Sequence, residues 1–287
     1  MTRIAIIGAS SGPGATLFER LHGQGRDVVG IARNKDKMAV LSQRASEQGL
    51  SLLRWRQVDA NNVAALRDAL KDVNVVFECA AAHLVQVILE ARAHRLDRLI
   101  ALGSARVFTA YPDAHAASVQ AMEESAAASP VAVTILHPTM IYGGRGENNI
   151  GRIVRFVRLC PLVPLPRGGR ALIQPIHADN VADCLEGALA REETRNRTIA
   201  IAGPQALSYA DFVRSCARAA GFKARIVSLP GALLTAAAPL SIIIPGMPTI
   251  TSSEVRRLME DKNIDISDMR QQLGVMPFSL EEGLRRA

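Results

Sequence analysis

The chain has 287 residues, with 34 Lys+Arg against 27 Asp+Glu and a formal net charge of +7. Hydrophobic residues make up 48% and charged residues 21%. That globular composition excludes a largely disordered, collagen-like or low-complexity chain. No heptad pattern persists, which excludes a coiled coil.

The first half alternates short apolar runs with helical patterns. Strands are predicted at residues 4–7, 27–31, 52–58, 73–78, 98–102 and 131–136. Helices are predicted between them near 14–22, 35–47, 63–70, 84–94 and 114–128. Strands separated by helices imply βαβ units, and nearly continuous apolar runs imply strands buried on both faces. Right-handed crossovers then give an α/β fold with a doubly wound parallel sheet. The texture changes after Tyr142. Gly143-Gly144-Arg145-Gly146 reads as a loop, and Pro161, Pro164 and Pro166 punctuate the next segment. A later strand at 198–201 precedes a helix at 208–219, with Ser208 as N-cap and Asp211 in the first turn. The expected organisation is a nucleotide-binding domain over 1–142 and a smaller C-terminal substrate-binding portion over 143–287. Crossing of segments between the two is allowed.

The strongest motif is Ile6-Ile7-Gly8-Ala9-Ser10-Ser11-Gly12-Pro13-Gly14-Ala15-Thr16. It follows the first strand and opens the first helix. Gly8 permits a tight turn, Gly12 lets backbone approach a pyrophosphate, and Gly14 lets helix and strand pack closely. The helix N-terminus offers free N–H groups to the anion. Ser10, Ser11 and Pro13 complete this set of candidate cofactor contacts. The glycine spacing is G-x-x-x-G-x-G rather than G-x-G-x-x-G.

With that spacing the chain resembles the short-chain dehydrogenase/reductase superfamily, a Rossmann-like α/β fold. The resemblance implies further site residues. The second strand ends Gly30-Ile31-Ala32-Arg33-Asn34. An acidic residue there would accept the ribose hydroxyl of NAD, whereas Arg33 places a guanidinium where a 2′-phosphate would sit. NADP is therefore favoured over NAD. Asp59 sits where such proteins carry an Asp near the adenine. Cys79-Ala80-Ala81-Ala82 takes the place of the small-residue turn beside the cofactor ribose, making Ala80 and Ala81 cofactor candidates. Leu102-Gly103-Ser104-Ala105 closes the fifth strand, where the family puts a catalytic or substrate-binding Ser.

The family's Tyr-x-x-x-Lys pair is absent. None of Lys35, Lys37, Lys71, Lys223 and Lys262 lies four residues after Tyr111, Tyr142 or Tyr209. One alignment of the expected helix puts His115 and Val119 at the two positions; the other puts Ala116 and Gln120 there. This moves the resemblance to the atypical and extended branch. Thr134-Ile135-Leu136-His137-Pro138-Thr139-Met140-Ile141-Tyr142-Gly143 is similar to the "RPxxxYG" segment of the NAD-dependent epimerase/dehydratase proteins, with His137 in place of Arg. Gln174-Pro175-Ile176-His177-Ala178-Asp179-Asn180-Val181-Ala182 is similar to their "HVDDVA" segment. Pro138 joins the cofactor candidates. Ile173 falls where nucleotide-sugar members carry a diphosphate-clamping Arg, with Arg170 nearby. That argues against a nucleotide-sugar substrate.

Candidate chemistry follows the fifth strand, at the carboxyl edge where ligands bind in open α/β sheets. Ser104 is placed to bond a carbonyl, and Tyr111 or His115 to deliver a proton. Arg106, Thr109, Tyr142 and Arg145 are candidate substrate contacts. His137 and His177 read as structural. Scattered histidines without H-x-x-x-H spacing give no metal site.

The basic surplus is 29 Arg against 5 Lys and is spread along the chain. Arg152, Arg155 and Arg158 recur on one predicted helix and read as a solvated face. Aromatic residues do not interleave with basic clusters, so no nucleic-acid surface is indicated. Cys79, Cys160, Cys184 and Cys216 form no C-x-x-C pair and read as reduced thiols of a cytoplasmic protein. The stretch 226–253 is uncharged, but Pro230, Pro239, Pro245 and Pro248 interrupt it, so no membrane span is expected. A homodimer interface there is compatible with the sequence. The expected function is NADP-dependent oxidoreductase chemistry of the epimerase/dehydratase type on a small carbonyl or hydroxyl substrate. The alternatives are a non-catalytic NADP-binding redox sensor or scaffold subunit, and a nucleotide-sugar epimerase.

Overall fold

The computed structural model describes residues 2–92, 96–144, 149–238 and 251–286. The first half runs β1 (Ile4–Ile7), α1 (Gly12–Gly23), β2 (Val28–Ala32), α2 (Lys35–Glu47), β3 (Trp55–Gln57), α3 (Val63–Ala69) and β4 (Val75–Glu78). It continues through α4 (Leu84–Arg92), β5 (Arg98–Leu102), α5 (Ala114–Ala127) and β6 (Ala132–Pro138). Then come β7 (Ile141–Tyr142), α6 (Asn149–Leu159), β8 (Leu162–Pro166), β9 (Leu172–Ile173), β10 (Ile176–His177) and α7 (Ala178–Ala190). The chain ends with β11 (Thr198–Ile201), β12 (Leu207–Ser208), α8 (Tyr209–Ala219), β13 (Arg225–Leu229), α9 (Gly231–Ala237), α10 (Ser252–Arg257), α11 (Ser267–Leu273) and α12 (Leu280–Arg286).

Seven strands form one parallel sheet in the order β11-β6-β5-β4-β1-β2-β3. The order reverses direction at β1, which pairs with β2 on one side and β4 on the other. β1, β2 and β4 are buried along their whole length, as continuous apolar runs demand when both sheet faces are covered. On one face Ile4, Ile6 and Phe77 pack with residues of α1, α2, α7 and α11. On the other Ala5, Ile7 and Val76 pack with residues of α3, α4 and α5. The sheet is therefore the doubly wound, Rossmann-like one that the sequence predicts.

Several boundaries differ from the sequence reading for physical reasons. The third strand shrinks to Trp55–Gln57 because it lies at the sheet edge and pairs with β2 alone; Leu52 is left exposed. The first helix begins two residues earlier than predicted, at Gly12, so Pro13 and Gly14 fall inside its first turn. Residues 93–95, at the end of the predicted fourth helix, lie outside the described residues. The sheet also reaches beyond residue 142: α7 packs against α1, and β11 adds itself in parallel to β6.

The C-terminal part forms two smaller clusters, around Val157, Val163, Leu165 and Val213, and around Ile173, Phe212 and Cys216. β8 and β13 form a parallel pair within it. These two-stranded elements were not legible as strands, because two to five residues carry too little periodicity. The Ser208 N-cap does form, accepting from the Asp211 N–H at 3.0 Å. Among the described residues no helix is long and apolar enough to cross a membrane.

Arg98, at the start of β5, is 2% exposed. Its guanidinium donates to the Thr194 hydroxyl at 2.6 Å, the Arg191 carbonyl at 3.2 Å and the Thr134 hydroxyl at 3.3 Å. This cation thus ties β5 and β6 to the turn before β11. Thr194→Val should leave a buried charged donor without its shortest bond and cost about 2 kcal/mol, read from the urea unfolding midpoint.

Candidate functional site

The turn from β1 into α1 is set by steric necessity. Gly8 has φ +84°, a left-handed conformation that L side chains rarely adopt. A Cβ on Gly14 would stand 2.6 Å from the Gly8 carbonyl oxygen and 3.0 Å from Cys79 Cβ. Gly12, at φ +55°, has nothing within 4 Å of where its Cβ would be, so the loop is open to a ligand there. Ser11 is the N-cap of α1 but makes no side-chain cap bond. Pro13 has no N–H, so it is the Gly12 and Gly14 N–H groups of the first turn that are free to meet an anion. The β1–β4 neighbourhood is the point of strand-order reversal, where open α/β sheets bind ligands. The residues fit a dinucleotide: a steric cradle, uncapped helix N–H groups and a crevice at the switch point.

Arg33 stands exposed directly after β2. Its charge reaches Asp59, whose carboxyl is held below its ordinary pKa first by the Asn61 N–H, then by the Asn61 side chain and by Arg33. Both residues lie at the carboxyl ends of their strands, on the β2–β3 side of the crevice.

The turn after β4 is held by a residue that sequence reasoning missed. Glu78 is fully buried, and its Oε1 accepts from the N–H groups of Ala80 at 2.6 Å and Ala81 at 2.7 Å. Its Oε2 is buried with no partner. Desolvation raises its pKa to about 8, although the two backbone bonds pull the other way. The carboxyl is thus protonated at neutral pH. The signal was available: a Glu closing the apolar run Val75-Val76-Phe77 in a strand buried on both faces must be neutral or paired.

Across the crevice, Ser104 follows β5 and caps a short 3-10 turn at Ala105–Phe108. Its Oγ accepts from the Arg106 N–H at 3.2 Å, leaving the hydroxyl proton available. Its own N–H donates to His137 Nδ1 at 3.0 Å. His137 is fully buried, and its Nε2 meets Glu123 Oε1 at 2.7 Å. With Nδ1 accepting, the ring carries its proton on Nε2 and donates it to Glu123. Burial lowers the His137 pKa despite Glu123, so the imidazole is a neutral strut. Gly103 makes room for it, since a Cβ there would collide with Nδ1.

A cavity of about 950 Å³ opens beside Ser104, between the carboxyl ends of β5 and β6 and the C-terminal clusters. Ser104, Arg106, His115 and Pro138 line it from the first half. Arg152, Gln174, Glu254, Arg257 and Lys262 line it from the second, among many apolar side chains. His115 stands at the rim, its pKa lowered by burial and by Arg106 and Arg257, against the pull of Asp113.

Not every predicted contact is brought together. Val119, which one of the two alignments puts at the family's Lys position, is fully buried in the core. Tyr111 is 46% exposed and does not line the cavity. Thr109 gives its hydroxyl proton to Glu260 at 2.7 Å, outside the lining. Tyr142 is 1% exposed, packed edge-on against His177 and Phe212, and is core rather than lining. Arg145 lies outside the described residues. Arg152 departs from the solvated-face reading: it turns into the cavity and bonds Glu254 at 2.9 Å, while Arg155 and Arg158 remain exposed. Glu254, Arg257 and Lys262 carried no sequence signal, because they reach the site from about 150 residues away. Among the described residues no group of three or more His, Cys, Asp or Glu could hold a metal ion.

A family model described as NAD(P)H-binding matches residues 8–155. An uncharacterized protein of Mycobacterium tuberculosis is 26% identical over 210 residues, which cover 72% of this chain and 22% of the relative. The chain thus spans about a fifth of the length of the curated relatives it matches. Among solved structures, the UDP-glucose 4-epimerase of Thermotoga maritima with UDP-glucose superposes with a TM-score of 0.76 at 14% identity, covering 99% of this chain and 97% of that one. The UDP-glucuronic acid 4-epimerase of Bacillus cereus, in complex with UDP-glucuronic acid and NAD, gives 0.74 at 18% identity, with the same coverage. An NAD-dependent NDP-hexosamine 5,6-dehydratase gives 0.69 at 16%, covering 100% and 96%. At these identities the likeness is one of fold.

Glu78 makes stability fall with rising pH. Its native pKa of about 8 lies above the ordinary 4.5, so the native state keeps a proton that the unfolded chain loses. Its contribution is intact below about pH 4.5 and is lost as pH rises through about 8, on the order of 5 kcal/mol in all. Glu78→Gln mimics the protonated form and should flatten that slope in urea unfolding between pH 5 and 8. An unchanged slope would show that Glu78 ionises freely.

Proposed function

The chain belongs to the NAD(P)H-binding family, in the fold of the epimerase/dehydratase proteins; on that premise we propose an NADP-dependent oxidoreductase acting on a small carbonyl or hydroxyl compound. The observation that carries the reading is that Ser104 and His115 line one cavity at the carboxyl edge of the sheet that also bears the glycine turn. In this reading residues 1–142 hold the cofactor, joined by α7 and β11, and the rest of 143–287 supplies the far wall of the cavity.

Gly8, Ser10, Ser11, Gly12, Pro13 and Gly14 cradle the pyrophosphate. Arg33 takes the 2′-phosphate and Asp59 borders the adenine. The Glu78-held turn at Ala80 and Ala81 lies along the ribose, and Pro138 borders the nicotinamide. The dinucleotide supplies hydride transfer. Ser104 donates its free hydroxyl proton to the substrate oxygen, pinned in place by His137 and Glu123. His115, its pKa lowered, is neutral at neutral pH and accepts the proton of a hydroxyl substrate. Arg106 holds the substrate from beside Ser104.

Two other readings keep a footing. On the alignment that puts it at the Lys position, the burial of Val119 favours a non-catalytic NADP-binding sensor or scaffold. The UDP-sugar complexes of the structural neighbours favour a nucleotide-sugar epimerase. Against the latter, Ile173 lines the cavity where a clamping Arg is expected, and Arg170 is exposed outside the lining.

Titration followed by nicotinamide fluorescence tests the cofactor. Arg33→Ala should weaken NADPH about 10–100-fold, the worth of a charged contact, and leave NADH nearly unchanged. Equal weakening of both would remove Arg33 from its role. In a carbonyl screen, Ser104→Ala and His115→Ala should each lower NADPH turnover about 10²–10⁴-fold. Intact NADPH binding without turnover on any carbonyl would favour the sensor.

A further inference from the structure

The cavity has two chemically distinct ends. Its body is apolar, walled by Phe156 and Val157 of α6, Val163 and Leu165 of β8, and Val213 of α8. Of the neutral polar side chains in the lining, three are already committed, while Ser104, His115 and Tyr209 stand at it as well. The Gln174 amide donates to the Gly203 carbonyl at 2.8 Å and accepts from the Ile264 N–H at 2.7 Å. The Thr139 hydroxyl is bonded to the Gln174 carbonyl. The Asn149 amide donates to the Ile141 carbonyl at 3.3 Å. A nucleobase or a sugar ring needs free donors and acceptors in its pocket, and burying one without them is costly.

The other end is cationic. Arg106, Arg257 and Lys262 all line the cavity, and the charges of both arginines are felt at Lys262. Among the described lining residues Glu254 is the one carboxylate, and Arg152 holds it. Asp113 is shared by Arg257 at 2.8 Å and Arg106 at 3.7 Å. Glu260, the nearest carboxylate acting on Lys262, has its two oxygens engaged by the Thr109 hydroxyl and the Ala110 N–H. Burial lowers the Lys262 pKa, Glu260 opposes this, and Arg257 and Arg106 add to it. Positive charge therefore exceeds its local compensation beside a mostly apolar chamber.

We propose that the substrate is an apolar-bodied molecule carrying one carboxylate, its anionic group held by Lys262, Arg257 and Arg106 and its body lying along α6, β8 and α8. This rests on the cavity being the substrate site of the oxidoreductase. It departs from the sugar nucleotides of the structural neighbours, whose bases and sugars would meet a lining that is mostly hydrocarbon.

The test uses the full chain saturated with NADP⁺, with anilinonaphthalene sulfonate bound as a fluorescent apolar anion. It is displaced in turn by decanoate, decanol and UDP-glucose. Decanoate should displace it at about tenfold lower concentration than decanol, a factor worth one charged contact. Lys262→Met should erase most of that advantage, Lys262→Arg should keep it, and the exposed Lys223→Met should leave it unchanged. Thermal melting checks that each variant is folded, and Lys262→Gln, which also removes the charge, serves where Lys262→Met does not fold. Decanol matching decanoate, UDP-glucose displacing more strongly than decanoate, or an advantage intact in folded Lys262→Met would each overturn the proposal. NADPH fluorescence is titrated separately. Failure there with the decanoate preference intact would overturn the oxidoreductase reading alone, and the converse would overturn the substrate class alone.

Discussion

Burying both faces of a parallel sheet confines binding to its ends, and here the reversal of strand order at β1 chooses where along the carboxyl edge. β1 feeds α1 on one face while β4 feeds α4 on the other, so their connections diverge and leave a crevice. The glycine turn must fit in that gap. A Cβ on Gly14 would collide with the Gly8 carbonyl, and one on Gly8 would press on the backbone of Cys79 and Ala80. The same close packing that makes the crevice thus forbids side chains at its floor.

Much of the site chemistry depends on keeping buried polar groups neutral. Glu78 at the end of β4 and His137 at the end of β6 are both fully buried, and each holds a turn by accepting backbone N–H groups. Ionising Glu78 in hydrocarbon would be costly, so desolvation holds its proton. His137 is kept neutral by the same effect, and Glu123 fixes its tautomer by accepting from Nε2. Ser104 is thereby positioned by neutral groups, with the Arg106 cation two residues on. The other cations of the site enter from the opposite wall, where Arg257 and Lys262 face the cavity.

That wall is anchored to the first half by polar ties between distant residues. Arg257 reaches Asp113, the N-cap of α5, and Glu260 takes the Thr109 hydroxyl and the Ala110 N–H. Both ties land on the segment between β5 and α5, which also carries Ser104 and Arg106. That segment is thereby fastened to the C-terminal part of the chain. Its helix contributes His115 at the rim and Val119 to the core.

The amino-acid sequence determined the repeated βαβ pattern, the glycine turn, Arg33 after β2 and Ser104 after β5. Each depends on neighbours a few residues away: side-chain periodicity, turn conformation or the end of a strand. Glu78 was legible in principle from the same local pattern, since a carboxyl closing a doubly buried strand has no water to ionise into. Tertiary structure alone decided that Tyr142 belongs to the core, that Tyr111 stays outside, and that Arg152 leaves its solvated face for Glu254. It alone brought Arg257 and Lys262 to a cavity whose other wall begins at Ser104. Contacts across 100 to 150 residues leave no periodic trace along a chain. They arise only when β11 closes the sheet and the short C-terminal elements fold over its edge.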